Sequence, residues 1–222
     1  MYSSSITAIV SAVRVLFSNR RSLLLMLLVY TGLLAAIYLF VSTREATISQ
    51  LLLTFITVIV APALFFVLQA AIVTHGPGLV KTSLKLLAVT APVIALTVVA
   101  IYGLSKVQTH PTIVTTVRYL LLAVVVPLLI VQLWIAVSNG GIKSVRSVLP
   151  RAFAPQSMFV YACGFLIFAV VPYLLLQKTM PNPRPWVEMS LLVARLALSA
   201  LLILLGWVTT VSALSVLNAR RT

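Results

Sequence analysis

The stretch LLLAVVVPLLIV, residues Leu120–Val131, decides the fold class of this chain. It contains no charged residue, and the run LLLMLLVY at Leu23–Tyr30 has the same character. A membrane-spanning β-strand instead carries a polar residue at every second position, on the face that lines the barrel lumen. These runs therefore exclude a β-barrel and favour helices that cross a membrane.

The composition extends this interpretation to the whole chain. Hydrophobic residues make up 62% of the 222 residues and charged residues 8%, against about 25% charged residues in a soluble domain. A helix needs roughly 20 apolar residues to cross a hydrocarbon core of about 30 Å. Six windows meet this requirement: Leu23–Val41, Leu51–Val73, Leu86–Leu104, Tyr119–Val137, Met158–Leu176 and Met189–Leu217. We expect an all-α, polytopic membrane protein with a single six-helix transmembrane domain over residues 1–222.

The distribution of cations predicts the orientation of these helices. Ten Lys and Arg residues fall on one side of the membrane: Arg14, Arg20, Arg21, Lys81, Lys85, Lys143, Arg146, Arg151, Arg220 and Arg221. Five fall on the other side: Arg44, Lys106, Arg118, Lys178 and Arg184. Cytoplasmic loops carry the excess of Lys and Arg. The sequence therefore predicts a multi-pass membrane protein with both termini in the cytoplasm.

The formal net charge of +14 points to an anionic partner. Nucleic acid is disfavoured, because the cytoplasmic cations lie within a turn or two of the membrane spans. Cations next to a membrane are attracted to anionic lipids by about 1 kcal/mol each. We expect anionic phospholipids as partners, with headgroup contacts from eight residues: Arg14, Arg20, Arg21, Lys81, Lys85, Lys143, Arg146 and Arg151.

A basic junction occurs twice in the chain. VTHGPGLVKTSLKLL at Val73–Leu87 returns as VSNGGIKSVRSVL at Val137–Leu149, and an offset of 62 residues pairs Lys81 with Lys143. Glycines that adopt φ > 0 end a helix and turn the chain sideways. Four glycines are predicted to do so at these junctions: Gly76, Gly78, Gly140 and Gly141. The sequence thus predicts three tandem two-helix repeats, at about residues 6–76, 77–140 and 141–218.

Each predicted repeat begins with a basic segment of amphipathic character. In the first segment the apolar residues recur on one helical face: Ile6, Ile9, Val10, Val13 and Phe17. In the third segment a similar stripe is formed by Ile142, Val145 and Leu149. Such a helix lies in the membrane interface, with its apolar face in the acyl boundary and its cations toward the headgroups. We therefore expect cytoplasmic elbow segments that lead into each helical hairpin.

Polar residues inside the predicted spans are the candidates for a binding site. Arg195 lies in the sixth span, seven residues after Glu188 and on the same helical face. One interpretation is that Arg195 extends outward toward Glu188 or headgroup phosphates. The other is a buried charge that lines a cavity or contacts a partner subunit. Gln69 and Gln132 are expected to form hydrogen bonds between helices, at a gain of about 1 kcal/mol.

Prolines interrupt four of the spans: Pro62, Pro92, Pro127 and Pro172. A proline within a helix removes one backbone hydrogen bond and favours a kink. Transporters place substrate sites at broken helices, and they add polar side chains there. Because the neighbours of these prolines are apolar, kinked packing is the favoured interpretation and a substrate site is the alternative.

The sequence offers few residues for catalysis. Its two acidic residues, Glu45 and Glu188, are predicted at or near the outer surface, which disfavours a carboxylate pair or a carboxylate-bound metal. His75 and His110 fall at opposite membrane faces, and Cys163 is the only cysteine, a small core residue of the fifth span. We expect no enzymatic activity, no catalytic residue, no bound metal and no cofactor.

Two segments carry a resemblance to a known group of proteins. AVRVLFSNRRSLLLMLLVY at Ala12–Tyr30 and GGIKSVRSVLPRAF at Gly140–Phe153 resemble six-helix bacterial membrane families related to the membrane-anchor domain of glycerophosphodiester phosphodiesterases. In that family the hydrolytic domain is a separate soluble module with metal-binding carboxylates, which this sequence does not contain. The resemblance implies a six-helix domain of the bacterial plasma (inner) membrane without phosphodiesterase activity.

Two functions of different classes are consistent with these observations. The first is a noncatalytic membrane subunit or scaffold, an accessory component of a larger membrane complex that also contacts other membrane subunits. The second is a small transporter or a lipid-handling protein. Coupling of transport to protons or sodium usually requires ionisable residues inside the membrane. Their scarcity here favours the first function, although a transporter of apolar substrates would not need them.

Overall fold

The computed structural model describes residues 2–44, 46–74, 78–106, 111–140, 145, 148–178 and 184–219. Within these ranges the chain is helical, with short connections and no β-strand. The α-helices are α1 (Tyr2–Ser18), α2 (Arg20–Ser42), α3 (Ile48–Thr74), α4 (Leu79–Lys106), α5 (Pro111–Leu120), α6 (Val126–Gly140), α7 (Val148–Ala152), α8 (Pro155–Phe165), α9 (Val171–Gln177) and α10 (Pro185–Ala219). Two π-helical turns, Leu121–Val125 and Leu166–Val170, join α5 to α6 and α8 to α9.

Six helical segments in the described ranges are long and apolar enough to cross a membrane: Arg20–Ser42, Ile48–Thr74, Leu79–Lys106, Thr112–Asn139, Pro155–Gln177 and Pro185–Ala219. They coincide with the six predicted windows, so the prediction of an all-helical chain with six such helices is confirmed. This arrangement fits a multi-pass membrane protein. Each segment is longer than its window, because polar residues at the ends, such as Lys81, continue the helical hydrogen bonding beyond the apolar stretch.

The chain forms two compact units. The terminal unit combines Met1–Asn19 with Pro155–Thr222, and the central unit is Arg20–Ala154. The terminal unit therefore contains α1 together with α8, α9 and α10, which are far from α1 in sequence. The predicted repeats are defined by similarity of sequence, whereas the two units are defined by contacts between residues in space. The units therefore do not test the repeats, which stay a prediction.

The central unit packs α2 on α3, α3 on α4, and α4 on α6. α2 buries one face, and its residues recur every three or four positions: Met26, Val29, Leu33 and Ala36. In α3 the buried residues cluster near its C-terminal end, at Leu68–Ile72, and in α4 near its N-terminal end, at Ser83, Leu86 and Thr90. The core of this unit is therefore concentrated at one end of its helices. The opposite ends of α3 and α4 expose apolar side chains, as suits helices surrounded by lipid.

The terminal unit packs α1 against α10 and α8. The face that α1 buries contains small residues and one leucine: Ser5, Ala8, Ala12 and Leu16. Most of the predicted apolar face remains exposed, since Ile6 and Val10 are each 54% exposed and Phe17 is 60% exposed. The predicted apolar face of α1 is thus largely exposed, and its contact with lipid stays a prediction. The sequence analysis did not identify the side of α1 that packs on protein.

The prolines occur in two structural settings. Each π-helical turn is followed directly by a Val-Pro pair, and Val126 N–H and Val171 N–H donate to carbonyls five residues earlier, Leu121 O and Leu166 O. Proline has no N–H, and its ring crowds the carbonyl four residues before it. A turn with one extra residue relieves that crowding. By contrast, Pro62 and Pro92 lie inside α3 and α4, which are assigned as α-helix throughout.

The basic segments also differ from one another. The first is a separate helix, α1, and the second is the beginning of α4, which continues without a break to Lys106. The third includes the short helix α7. The first and third segments thus contain separate helices before a candidate membrane span, whereas the second is continuous with its span. The elbow character of all three stays a prediction.

The junction glycines are described in part. Gly78 has φ of +92°, the left-handed conformation predicted for it. Gly140 is the last residue of α6. Gly76 and Gly141 lie outside the described residues, as does Ile142 of the third amphipathic stripe.

Candidate functional site

The predicted headgroup contacts are mostly exposed cations. Arg14 on α1, Arg20 and Arg21 at the start of α2, and Lys81 and Lys85 at the start of α4 are exposed. Helix N-termini carry partial positive charge, so the helix dipole does not favour the cations on α2 and α4. An anionic surface would offset that unfavourable placement.

The remaining predicted headgroup contacts have a different setting. Arg151 is half-buried in the last turn of α7. Lys143 and Arg146 lie outside the described residues. The structure thus provides an environment for six of the eight predicted cations and gives no geometry for the other two.

Arg195 is half-buried in the first third of α10, a helix that is long and apolar enough to cross a membrane. Its Nε donates a hydrogen bond to Leu191 O at 3.3 Å, one turn earlier on α10. This bond directs the side chain toward the N-terminal end of α10, where Glu188 is exposed in the first turn. Arg195 follows Pro185 by ten residues, about 15 Å at 1.5 Å per residue, which is about half the thickness of a hydrocarbon core.

The two halves of α10 have different surroundings. Every residue from Pro185 to Leu198 is exposed or half-buried, whereas buried residues recur from Ser199 to Asn218. We call the first part, residues 185–198, the exposed half of α10. One of its faces carries small side chains at spacings of four and three: Ser190, Ala194 and Ala197. Small side chains allow a second helix to approach closely in a membrane.

The predicted glutamines lie in the core of the central unit. Gln69 on α3 and Gln132 on α6 are each 1% exposed. Both are therefore placed away from lipid. Their role as hydrogen-bonding partners between helices stays a prediction.

A hydrogen bond between helices was missed by the sequence analysis. Trp134 Nε1 on α6 donates to Thr90 Oγ1 on α4 at 2.8 Å, and Thr90 Oγ1 donates to Leu86 O at 2.6 Å. The Trp134 ring is also in edge contact with Phe65 and Phe66 of α3. A tryptophan inside a span rather than at the interface was the available signal, because its N–H requires an acceptor when buried.

A second missed feature is the close contact between α10 and the α8–α9 segment. A Cβ added to Gly164 would overlap Thr210 Oγ1 and lie 2.9 Å from Thr210 Cβ. A Cβ added to Gly206 would lie 2.9 Å from Ile167 Cγ2 and 3.1 Å from Phe168 N. The two contacts are thus reciprocal: Gly164 faces Thr210, one helical turn after Gly206, and Gly206 faces Ile167 and Phe168, about one turn after Gly164. The sequence analysis predicted no contact for either glycine.

A cavity of about 240 Å³ lies within the terminal unit, between α1, the α8–α9 segment and α10. We call it the α1 groove. Ile9, Val13 and Phe17 line it from α1, and Cys163, Gly164 and Gly206 are among the residues on its other walls. These three residues belong to the predicted apolar face of α1. Part of that face therefore lines a cavity, and the rest is exposed at the surface of the terminal unit.

The described residues offer no metal site of the usual kind. No group of three or more His, Cys, Asp or Glu side chains among them is placed to hold a metal ion. Cys163 is half-buried and free of a disulfide. His75, His110 and Glu45 lie outside the described residues.

Comparison with known proteins adds no relative: no family model, curated protein or solved structure matches this chain. The resemblance to the membrane-anchor domain of glycerophosphodiester phosphodiesterases therefore stays a prediction. The function is inferred from the contacts of the helices described above.

Proposed function

We propose that this chain is a noncatalytic integral membrane subunit or scaffold, an accessory component of a larger membrane complex. The observation that carries the proposal is Arg195 on the exposed half of α10. The partner is another membrane subunit that packs a helix along this half and accepts hydrogen bonds from the guanidinium.

The charge of Arg195 is the first reason. A guanidinium near the centre of a bilayer costs several kcal/mol unless it is paired or reaches water. Leu191 O accepts one hydrogen bond from it, whereas a guanidinium has five N–H donors. A carboxylate or free carbonyl on a neighbouring subunit would accept further bonds at this depth.

The shape of the same surface is the second reason. Lipid tails are adequate neighbours for exposed leucine and valine, so those side chains alone do not indicate a partner. Ser190, Ala194 and Ala197 form a shallow stripe on the same half of α10, about a third of the helix circumference from Arg195. The stripe allows a partner helix to approach closely, and the flexible Arg195 side chain can reach a group on the flank of that partner.

The test is affinity purification of the full-length chain from its native membrane in mild detergent. We expect a partner protein in constant ratio with wild type and with Arg195→Lys, which retains the charge. Arg195→Leu and Ala194→Leu should reduce its recovery by about tenfold, the ratio that a loss of 1.4 kcal/mol of binding free energy gives.

Leu196→Val is the matched control, because Leu196 is on the same half of α10, is 50% exposed and lies about 100° or more around the helix from both Arg195 and the small-residue stripe. It should leave recovery unchanged. Equal recovery with Arg195→Leu, or the absence of any partner in constant ratio, would show that Arg195 is a snorkelling residue and that the proposal is wrong.

The orientation is part of this proposal. Both termini and the basic segments face the cytoplasm of a bacterial inner membrane, where the exposed cations contact anionic phospholipids. A single cysteine at Lys81, in a Cys163→Ser background, should resist an impermeant thiol reagent in intact cells and react after the cells are opened. Reaction from outside would reverse the orientation.

The three tandem two-helix repeats belong to this proposal as well. Each repeat comprises a basic segment followed by a helical hairpin. The left-handed Gly78 at the start of α4 supports a junction of the expected kind. If repeats exist, exchanging residues 78–87 for residues 140–149 should preserve insertion and orientation, whereas loss of insertion would argue against equivalence.

A second candidate is a lipid-handling protein. The observation that favours it is the α1 groove, an apolar cavity in a chain that fits a membrane protein. The two candidates differ in what occupies the molecule: a protein on α10 or a lipid beside α1.

A further inference from the structure

The depth of the α1 groove places it among acyl chains. Its walls include Val160 and Ile167, which follow Pro155 by 5 and 12 residues, or about 8 Å and 18 Å along the helix. Pro155 begins a segment that is long and apolar enough to cross a membrane. A site at this distance from the end of a crossing helix lies within the hydrocarbon core of about 30 Å.

The lining of the groove disfavours water. A buried water needs two to four polar partners. The groove offers the hydroxyls of Thr209 and Thr210, and Thr210 Oγ1 already donates to Gly206 O at 2.6 Å. An apolar cavity of about 150 Å³ stays dry and binds benzene, so the larger cavity here has room for a segment of hydrocarbon chain.

The groove is accessible from the surface of the terminal unit. Val13 is 37% exposed and Phe17 is 60% exposed, although both line the cavity. A chain can therefore enter from the side without separation of the helices. Arg14 follows Val13 directly and is exposed, which provides a cation beside the groove for a phosphate.

We propose that the α1 groove holds one acyl chain of an anionic phospholipid, whose phosphate contacts Arg14. The chain lies against Ile9, Val13 and Phe17 of α1 and against the glycine-lined walls opposite. This site goes beyond the proposed function, because it requires no partner on α10. The proposal assigns two separate contributions to lipid binding: the groove binds the acyl chain, and Arg14 favours an anionic headgroup.

The test uses the purified full-length chain in nanodiscs that contain phosphatidylglycerol with a photoactivatable diazirine on one acyl chain. Mass spectrometry should locate adducts in peptides that contain Val160–Ile167 and Leu205–Thr210. Val13→Trp fills the groove and should lower these adducts by about tenfold, equivalent to a loss of about 1.4 kcal/mol of binding free energy.

The matched control is Val10→Trp, because Val10 is on the same helix, is 54% exposed and does not line the groove. It should leave the adducts unchanged. Arg14→Gln should abolish the preference for phosphatidylglycerol over phosphatidylcholine carrying the same diazirine chain, while both lipids still label the groove.

Cys163 provides a second measurement, since it is the only cysteine of the chain and lines the groove. In lipid-depleted detergent, phosphatidylglycerol should slow its alkylation by N-ethylmaleimide several-fold. If Val13→Trp fails to fold, Thr209→Leu fills the groove from α10, and protection of native Cys163 still decides the question.

Three outcomes would overturn the proposal. Adducts that are equally strong with Val13→Trp and Thr209→Leu would place the lipid elsewhere. Unchanged Cys163 alkylation on addition of lipid would do the same. Oxidative formation of a Cys163–Cys163 dimer in place of lipid protection would assign the groove to a second copy of the chain. None of these results depends on the partner at Arg195, so failure here leaves the scaffold proposal standing.

Discussion

Each of the two compact units is stabilised by a different kind of internal contact. In the terminal unit, helix backbones come close at Gly164 and Gly206, and α1 packs through small side chains. In the central unit, a large aromatic side chain, Trp134, fills the core and donates a hydrogen bond to Thr90. Lipid tails are as apolar as leucine, so apolar burial alone drives little association between helices. Close packing and hydrogen bonding are the two remaining sources of stability, and each unit emphasises one of them.

The largest effect is expected for Trp134→Ala in the central unit. The ring is 2% exposed, and truncation of a buried Trp costs about 3–5 kcal/mol through lost packing and an unfilled cavity. Thermal or denaturant unfolding in detergent would measure the change. Trp186→Ala is the control, because Trp186 is 68% exposed. A similar loss for both variants would mean that the central unit does not depend on its aromatic core.

An intermediate effect is expected for Gly164→Ala in the terminal unit. The added methyl would overlap Thr210, and overpacking of this kind costs about 1–3 kcal/mol. Gly103→Ala should be neutral or stabilising, since a Cβ there meets no atom within 4 Å. Adding Thr210→Ala to Gly164→Ala should recover part of the loss in a double-mutant cycle. Additive effects of the two substitutions would contradict a direct contact.

The smallest effect is expected for Thr90→Val, which removes the acceptor of the Trp134 N–H. Hydrogen bonds between helices in membranes average about 0.6 kcal/mol and reach about 1.7 kcal/mol. Thr97→Val is the control on the same helix, because Thr97 Oγ1 bonds to Val93 O within α4. The same unfolding measurement applies, and equal losses for Thr90 and Thr97 would show that the bond between helices adds nothing to stability.

The helices that are long and apolar enough to cross a membrane were predictable because their signal lies in a single stretch of sequence. Apolar runs of sufficient length locate α2, α3 and α4 without knowledge of any neighbour. The packing contacts depend on which faces meet. In α1, Ile6 and Val10 are the more hydrophobic residues and stay exposed, while Ala8 and Ala12 are buried. Hydrophobicity does not distinguish a lipid-facing side from a protein-facing side, so the sequence predicted the apolar face of α1 but not the small-residue face that packs on protein.

The prolines show a related limit. Pro62 and Pro127 both follow apolar and β-branched residues, yet the first lies in a regular α-helix and the second follows a π-helical turn. The local sequence predicts the missing N–H at each position. Which helix gains an extra residue depends on the neighbours that each turn meets, and the sequence alone does not specify those neighbours. The α1 groove could not be predicted for the same reason, because its walls come from three helical segments that are separate in sequence.

The pairing of the first helix with the last has a consequence for biosynthesis. The N-terminal helix ends at Ser18, and the part of the last helix in which buried residues are frequent begins at Leu204. The ribosome must therefore add 204 − 18 = 186 residues before that partner exists. At about 5–20 residues per second this takes roughly 10–40 s. During that interval the helices of the central unit, Arg20–Ala154, can already pack on one another, since all of them precede α10 in the chain. Closure of the terminal unit therefore requires synthesis of α10, and a chain truncated before Leu204 should leave the small-residue face of α1 uncovered, which limited proteolysis of the truncated chain would detect.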